Sequence, residues 1–248
     1  KRTVNGTEAT TYAYDKAGRL TGITYAGQTT SYAYDAAGRL TSKTLPNGVV
    51  QTLNYDNASR LLSITYSQPD ATVIEVISYT YDANGRRTSK TSASNSTAQE
   101  TGFTASYDAA DRMIAVTLKG TGVGGADENC TLRYDNNGNL VTKPCGVNVT
   151  TYNWDAQNRL VGISGPGITA SFGYDALGRR VTRTLNSTTT SYVYDGAQAI
   201  AETKGGINAT LLTGLQIDEA IGRYAGPGNR TLLTDALGSV IAEAKEDR

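Results

Sequence analysis

Along most of the chain, apolar or aromatic residues recur two positions apart and then give way to a short polar stretch. Tyr12 and Tyr14, Tyr32 and Tyr34, Tyr79 and Tyr81, Tyr152 and Trp154, Phe172 and Tyr174, and Tyr192 and Tyr194 all follow this spacing. Residues two apart share one face of a strand, so each pair predicts a half-buried strand. Asp-x-x-Gly or a close variant follows. Asp suits the first position of a type I turn because its carboxylate accepts a local backbone N–H, and Gly at the fourth takes positive φ without steric cost. Beyond the turn, Arg-Leu opens a stretch such as TGITYAGQTTSYAY, which reads as a second strand, a loop and the first strand of the next unit.

The predicted hairpin is repeated. YDKAGRL begins at Tyr14, and variants of the block begin at Tyr34, Tyr55, Tyr81, Tyr107, Tyr134, Trp154, Tyr174 and Tyr194, the last decayed to YDGAQAI. Successive intervals are 20, 21, 26, 26, 27, 20, 20 and 20 residues, so the middle three units carry insertions. Asp15 with Gly18, Asp35 with Gly38, Asp82 with Gly85, Asp135 with Gly138 and Asp175 with Gly178 are the turn residues in their full form. Asp111 and Asn158 replace the Gly with residues that tolerate the left-handed region, whereas Ser59 and Gln198 predict altered or strained turns. A lone hairpin is marginal, so the units are expected to stack side by side. The fold class is therefore all-β, a solenoid or spiral of antiparallel hairpins, with residues 1–204 as the repeat array and 205–248 as a segment continuing its sheet.

Composition agrees with strands and removes whole classes of chemistry. Tyr, Thr and Gly are abundant while Phe, Met and Trp are nearly missing, which suits pleated sheets better than helices. The chain has no His, which excludes Ser-His-Asp and Cys-His catalysis within it, and two Cys cannot form a four-thiolate site. Its 23 basic and 23 acidic residues cancel, giving no electrostatic reason to expect nucleic acid as a partner. No apolar run approaches a bilayer span of about 20 residues, so no membrane insertion is expected. The Gly-rich piece from Gly120 lacks the Lys-Ser/Thr ending of a nucleotide loop. Nor do repeated turn carboxylates suit acid–base catalysis, which needs two different environments rather than many copies of one. No catalytic residue, metal site or cofactor is expected.

Cys130 and Cys145 are equidistant from the turn of the sixth hairpin, a placement that puts them opposite each other within reach of a disulfide. Of the 16 Asn residues, eight begin an N-x-S/T sequon: Asn5, Asn57, Asn95, Asn129, Asn148, Asn186, Asn208 and Asn229. Both features point to an exported protein in an oxidising compartment, secreted or at the cell surface, with these Asn as candidate glycan carriers.

The pattern Y-x-Y-D-x-x-G-R-L-T resembles the YD repeat of the Rhs (rearrangement hotspot) proteins, also found in the B and C components of bacterial Tc toxins, in wall-associated bacterial toxins and in animal teneurins. The resemblance runs from Tyr12 to Ala201, and LLTDALGSVIAEA from Leu232 resembles the D-x-L-G-S segment that introduces the Rhs core domain. It implies a hollow β-shell, exported or displayed, that encloses a C-terminal toxin or other cargo; in teneurins such a shell supports adhesion. The D-P-x-G pair that carries the family's aspartyl autoprotease has no counterpart: Asp235-Ala-Leu-Gly238 has the wrong residue after Asp. The expected role is a non-enzymatic shell segment whose partners are flanking repeats or cargo of the same protein. An adhesion or glycan-binding module, its Tyr ladder stacking on sugars, and an end-to-end self-associating filament subunit are the alternatives.

Overall fold

The computed structural model describes residues 2–4, 8–94, 97–121, 125–215 and 219–245. Among these residues there are twenty-four β-strands and no α-helix. The chain divides into two compact units.

The first unit comprises residues 1–79, 92–98 and 211–248. Its strands run in chain order: β1 (Arg2–Val4), β2 (Glu8–Tyr14), β3 (Leu20–Tyr25), β4 (Gln28–Tyr34), β5 (Leu40–Thr44), β6 (Val50–Tyr55), β7 (Leu61–Ser67) and most of β8 (Val73–Tyr81). Each pairs antiparallel with the next. At one edge, the YD turns close the hairpins, and a register shift just before each block tyrosine, as between Ala13 and Tyr14, marks a β-bulge. At the other edge the β3–β4 connection is two residues long, with Ala26 and Gly27 at φ 51° and 78°. Positive φ at both places is the type I′ geometry, whose twist matches the flanking strands.

One face of this sheet holds the core. Ile23, Tyr25, Tyr32, Leu45, Ile64, Tyr66, Ile77 and Tyr79 are buried on alternate positions. The same unit contains the end of the chain, numbered here β22 (Ala220–Tyr224), β23 (Arg230–Thr234) and β24 (Val240–Lys245), with neighbours antiparallel. These strands contribute Ile221, Tyr224, Leu232 and Leu233 to the core. The Tyr25 and Tyr224 rings meet edge to face at 5.1 Å, and the Tyr79 hydroxyl accepts the Ala236 N–H at 3.0 Å. The apolar face of the first repeats is therefore covered by the chain's own later strands.

The second unit comprises residues 80–91 and 99–210. It holds most of β9 (Arg87–Ser94) and β10 (Thr97–Tyr107), then β11 (Met113–Lys119), β12 (Glu128–Thr131), β13 (Arg133–Tyr134), β14 (Leu140–Cys145), β15 (Asn148–Trp154), β16 (Leu160–Gly165), β17 (Ile168–Tyr174), β18 (Arg180–Leu185), β19 (Thr188–Asp195), β20 (Gln198–Lys204) and most of β21 (Ile207–Thr213). From β14 on, each strand pairs antiparallel with the next. Val116, Cys130 and Cys145 form its core cluster, with Phe103, Met113, Leu118 and Leu132 packed against it. Beyond these, only Ala170, Thr190 and Ala209 of its described residues are buried.

Candidate functional site

The YD block is built around its Asp. In the first hairpin the Asp15 carbonyl accepts the Gly18 N–H at 3.0 Å, and the Asp15 N–H donates to the Arg19 carbonyl at 2.9 Å. One carboxylate oxygen accepts the Ala17 and Arg19 backbone N–H groups, both at 2.9 Å, while the other accepts the Arg19 Nε–H at 2.7 Å. The same set recurs around Asp35, Asp56, Asp82, Asp108, Asp155 and Asp175. At Asp135 the Asn139 amide takes the place of the guanidinium. These bonds favour the ionised carboxyl, so Asp15 lies below the usual carboxylate range, held there first by the Arg19 backbone N–H and then by its side chain.

The fourth turn position is left-handed in the first eight blocks. Gly18, Gly38, Gly85, Gly138 and Gly178 have φ between 77° and 84°. Asp111, Asn158 and Ser59 take φ of 61°, 57° and 61°. Ser59 therefore keeps the shape of its neighbours, its N–H donating to the Asp56 carbonyl, and carries the strain of positive φ. At the last block the shape changes: Asp195 pairs with Gln198, leaving the two residues Gly196 and Ala197 to turn the chain, and Gln198 lies in β20. Asp235 and Gly238 form one more turn of the YD kind.

Arg and Tyr join each hairpin to the next. The Arg19 guanidinium lies 4.9 Å from the centre of the Tyr34 ring, and its Nη1 donates to the Asp35 carbonyl at 3.3 Å. The Tyr34 hydroxyl donates back to the Leu20 carbonyl at 2.8 Å. Arg39 with Tyr55, Arg86 with Tyr107, Arg112 with Tyr134, Arg159 with Tyr174 and Arg179 with Tyr194 stack likewise. Each of these tyrosines donates to a strand carbonyl of the preceding unit, and Trp154 does so through its indole N–H. The block residues are thereby occupied in holding the wall together. The paired aromatics divide the work: Tyr32 is buried in the core while Tyr34 serves this edge.

The inner face of the first unit carries a polar group of its own. Lys43 is buried, with Nζ 3.6 Å from Glu219 Oε1, and the Tyr32 hydroxyl donates to the same oxygen at 3.1 Å. Burial lowers the Lys43 pKa against the opposing pull of Glu219, and burial also raises that of the Tyr32 phenol. Close by in sequence, Tyr66 donates from its hydroxyl to the Thr234 carbonyl at 2.7 Å and accepts the Thr234 N–H and the Gln51 amide. A late strand is thus fixed on an early one by a buried phenol satisfied on every side.

Cys130 and Cys145 stand directly opposite in register and form a disulfide. Glu128 lies beside the bonded sulfurs; a disulfide does not offer the thiolates that a metal ion would need. Of the sequon residues, Asn5 and Asn95 lie outside the described residues. Asn57 and Asn148 are exposed. Asn129 and Asn208 are exposed and accept Thr hydroxyls, Asn186 bridges two chain segments through both ends of its amide, and Asn229 is half-buried. No signal in the sequence marked Lys43, Glu219 or Tyr66, because their meaning depends on which distant strand covers them.

The RHS Repeat model matches residues 14–50, 34–73 and 154–190. No curated protein is matched. Among solved structures, the Photorhabdus luminescens Tc holotoxin pore is similar over 94% of this chain at 18% identity, with a TM-score of 0.60. The TcdB2-TccC3 structure lacking its hypervariable C-terminal region is similar over the same share at 18% identity, with a TM-score of 0.61. In both cases this chain spans 16% of the chain it matches. The likeness shows the fold, and the repeat matches fall on hairpins welded through the same Asp, Gly, Arg and Tyr positions. The segments at residues 14–73 and 154–190 are thus RHS, or YD, repeats, set in a fold similar to that of the Tc toxin structures.

Proposed function

We propose that this chain is a structural, non-enzymatic wall segment of an exported RHS-repeat protein, in which the repeats form part of a shell around a polypeptide of the same protein. The observation that carries this reading is the division of labour in the repeat. The block residues are engaged with one another at the turn edge, while the inner face of the first unit is lined by an extended piece of chain, fixed through Tyr66 and Lys43. Similarity to Tc toxin structures supports the architecture, and the disulfide suits export. Among the described residues no helix is long and apolar enough to cross a membrane. The exposed Asn57 and Asn148 are the sequons best placed to carry glycans.

Protease digestion of the native polypeptide that bears these repeats tests the enclosure. A resistant fragment from outside the repeats, lost when the wall is opened by denaturant, is the expected result. Digestion of that region at the rate of a free peptide would overturn the reading.

A further inference from the structure

In the second unit, β18 carries two arginines, the exposed Arg180 and the half-buried Arg183. Arg180 sits over two rings, 5.5 Å from the centre of Phe172 on β17 and 5.9 Å from that of Tyr192 on β19. Arg183 is paired across β17 with Phe172 and across β19 with the buried Thr190. Its Nε is buried and has no hydrogen-bond partner. Neither arginine forms an ion pair among the described residues. A buried guanidinium N–H without an acceptor is costly, so the face is poised to receive an anion.

The first unit shows what satisfies a cation at this place in the repeat. Lys43 is paired with Tyr32 in register as Arg183 is with Phe172. Its partner is Glu219, which comes from the segment packed on that face and is followed by Ala220 and Ile221 of β22. At the same position Ile23, Ile64, Val116 and Ile163 are apolar while Lys90 and Lys143 are cations, so the repeat admits either kind of residue there and a cation calls for a partner where it is buried. In the second unit the cation and the aromatic residues are present, and among the described residues no carboxylate pairs with either arginine, although Glu202 stands opposite Tyr192 on the next strand.

We propose that the Arg180–Arg183 site is a docking site for an extended, acidic-aliphatic peptide segment, whose carboxylate takes both guanidinium groups while its apolar residues cover Phe172 and Tyr192. Planar guanidinium forks bind a carboxylate through paired N–H donors, and the flanking rings exclude water from the contact. The assignment goes beyond the enclosure reading and does not rest on it, since it needs only this face and its charges.

The test titrates a capped hexapeptide, Glu-Ala-Ile-Gly-Arg-Tyr, into the full chain and follows the arginine Nε–H resonances by NMR. Saturable shifts at Arg183 are expected, with affinity falling about tenfold or more when the peptide's Glu is replaced by Gln. Arg180→Leu with Arg183→Ile, substitutions that give the site residues other repeats carry there, should abolish binding. Equal affinity for the Glu and Gln peptides, undiminished binding by the double variant, or the absence of shifts at Arg183 would overturn the proposal. The Gln comparison uses the unaltered protein and so stands even if the double variant fails to fold. Failure here leaves the protease result, and with it the enclosure reading, unchanged.

Discussion

The two units are made of the same hairpin and welded by the same residues, yet they differ in what lies on the sheet. In the first, Ile23, Ile64, Ile77 and Tyr66 are at most 1% exposed beneath the later strands. In the second, the described core is a small cluster about one disulfide, while Leu185, Val193 and Ile207 are 38%, 59% and 59% exposed. The repeat motif therefore specifies a wall and its connections, and burial is supplied by whatever is laid against the wall. A disulfide is the natural supplement where burial is thin, because it stabilises without requiring apolar area.

Tyr66 offers the sharpest way to break this contrast. Tyr66→Ala should destabilise the first unit by about 3–5 kcal/mol through the lost ring and the orphaned polar groups around it. Leu185→Ala, at the corresponding strand position in the second unit but exposed, should cost about 1 kcal/mol or less. Chemical denaturation read alongside residue-resolved hydrogen exchange separates the two effects, and equal losses would refute the difference between the units. Reduction of Cys130–Cys145 is next, with an expected loss of about 3 kcal/mol for a loop of this size. Its exchange signature should be confined to the second unit.

The turns are where the units should behave alike. Gly38→Val should cost about 1–2 kcal/mol because φ of 81° is unfavourable for a β-branched side chain. Ser59→Gly should stabilise by about 1 kcal/mol, since Ser59 already takes that geometry. Thermal melts read both, and a loss of stability in the second variant would contradict the turn shape described here. The smallest effect per residue is acid sensitivity. Asp35, Asp108 and Asp175 have native pKa values below the ordinary carboxylate value of 3.8, held there by Arg39, Arg112 and Arg179 through side-chain or backbone hydrogen bonds. Their contribution is present above the unfolded pKa and fades as pH falls through the lower native one. Melting temperature should therefore drop between about pH 4 and pH 2, and in both units together.

Much of the wall was legible in the sequence. The Asp-x-x-Gly spacing indicates the turn, and the period-two aromatics indicate the strands, because both are local effects of side chains on their own backbone. Of the two expected outcomes at Ser59, an altered turn or a strained one, the structure has the strained one: the hydrogen bonds of Asp56 outweigh the cost of positive φ at one residue. The Arg–Tyr weld was not legible, since its acceptors are backbone carbonyls of another unit and carry no sequence signature. The inner lining was less so. Strand alternation places Lys43 on one face or the other, but its partner Glu219 lies beyond the array in a segment whose period has been lost.

The reach of these bonds along the chain also implies an order of events. Tyr34, Tyr55 and Tyr174 find their acceptors 14 or 15 residues back, whereas Tyr66 and Thr234 are separated by 168. A chain emerging from a ribosome or a secretion channel with its N-terminus first can weld each hairpin as soon as the next one clears the exit. The lining of the first unit must wait for its last strands. During that interval the inner face is open, and whatever polypeptide is nearest and suitably patterned competes for it.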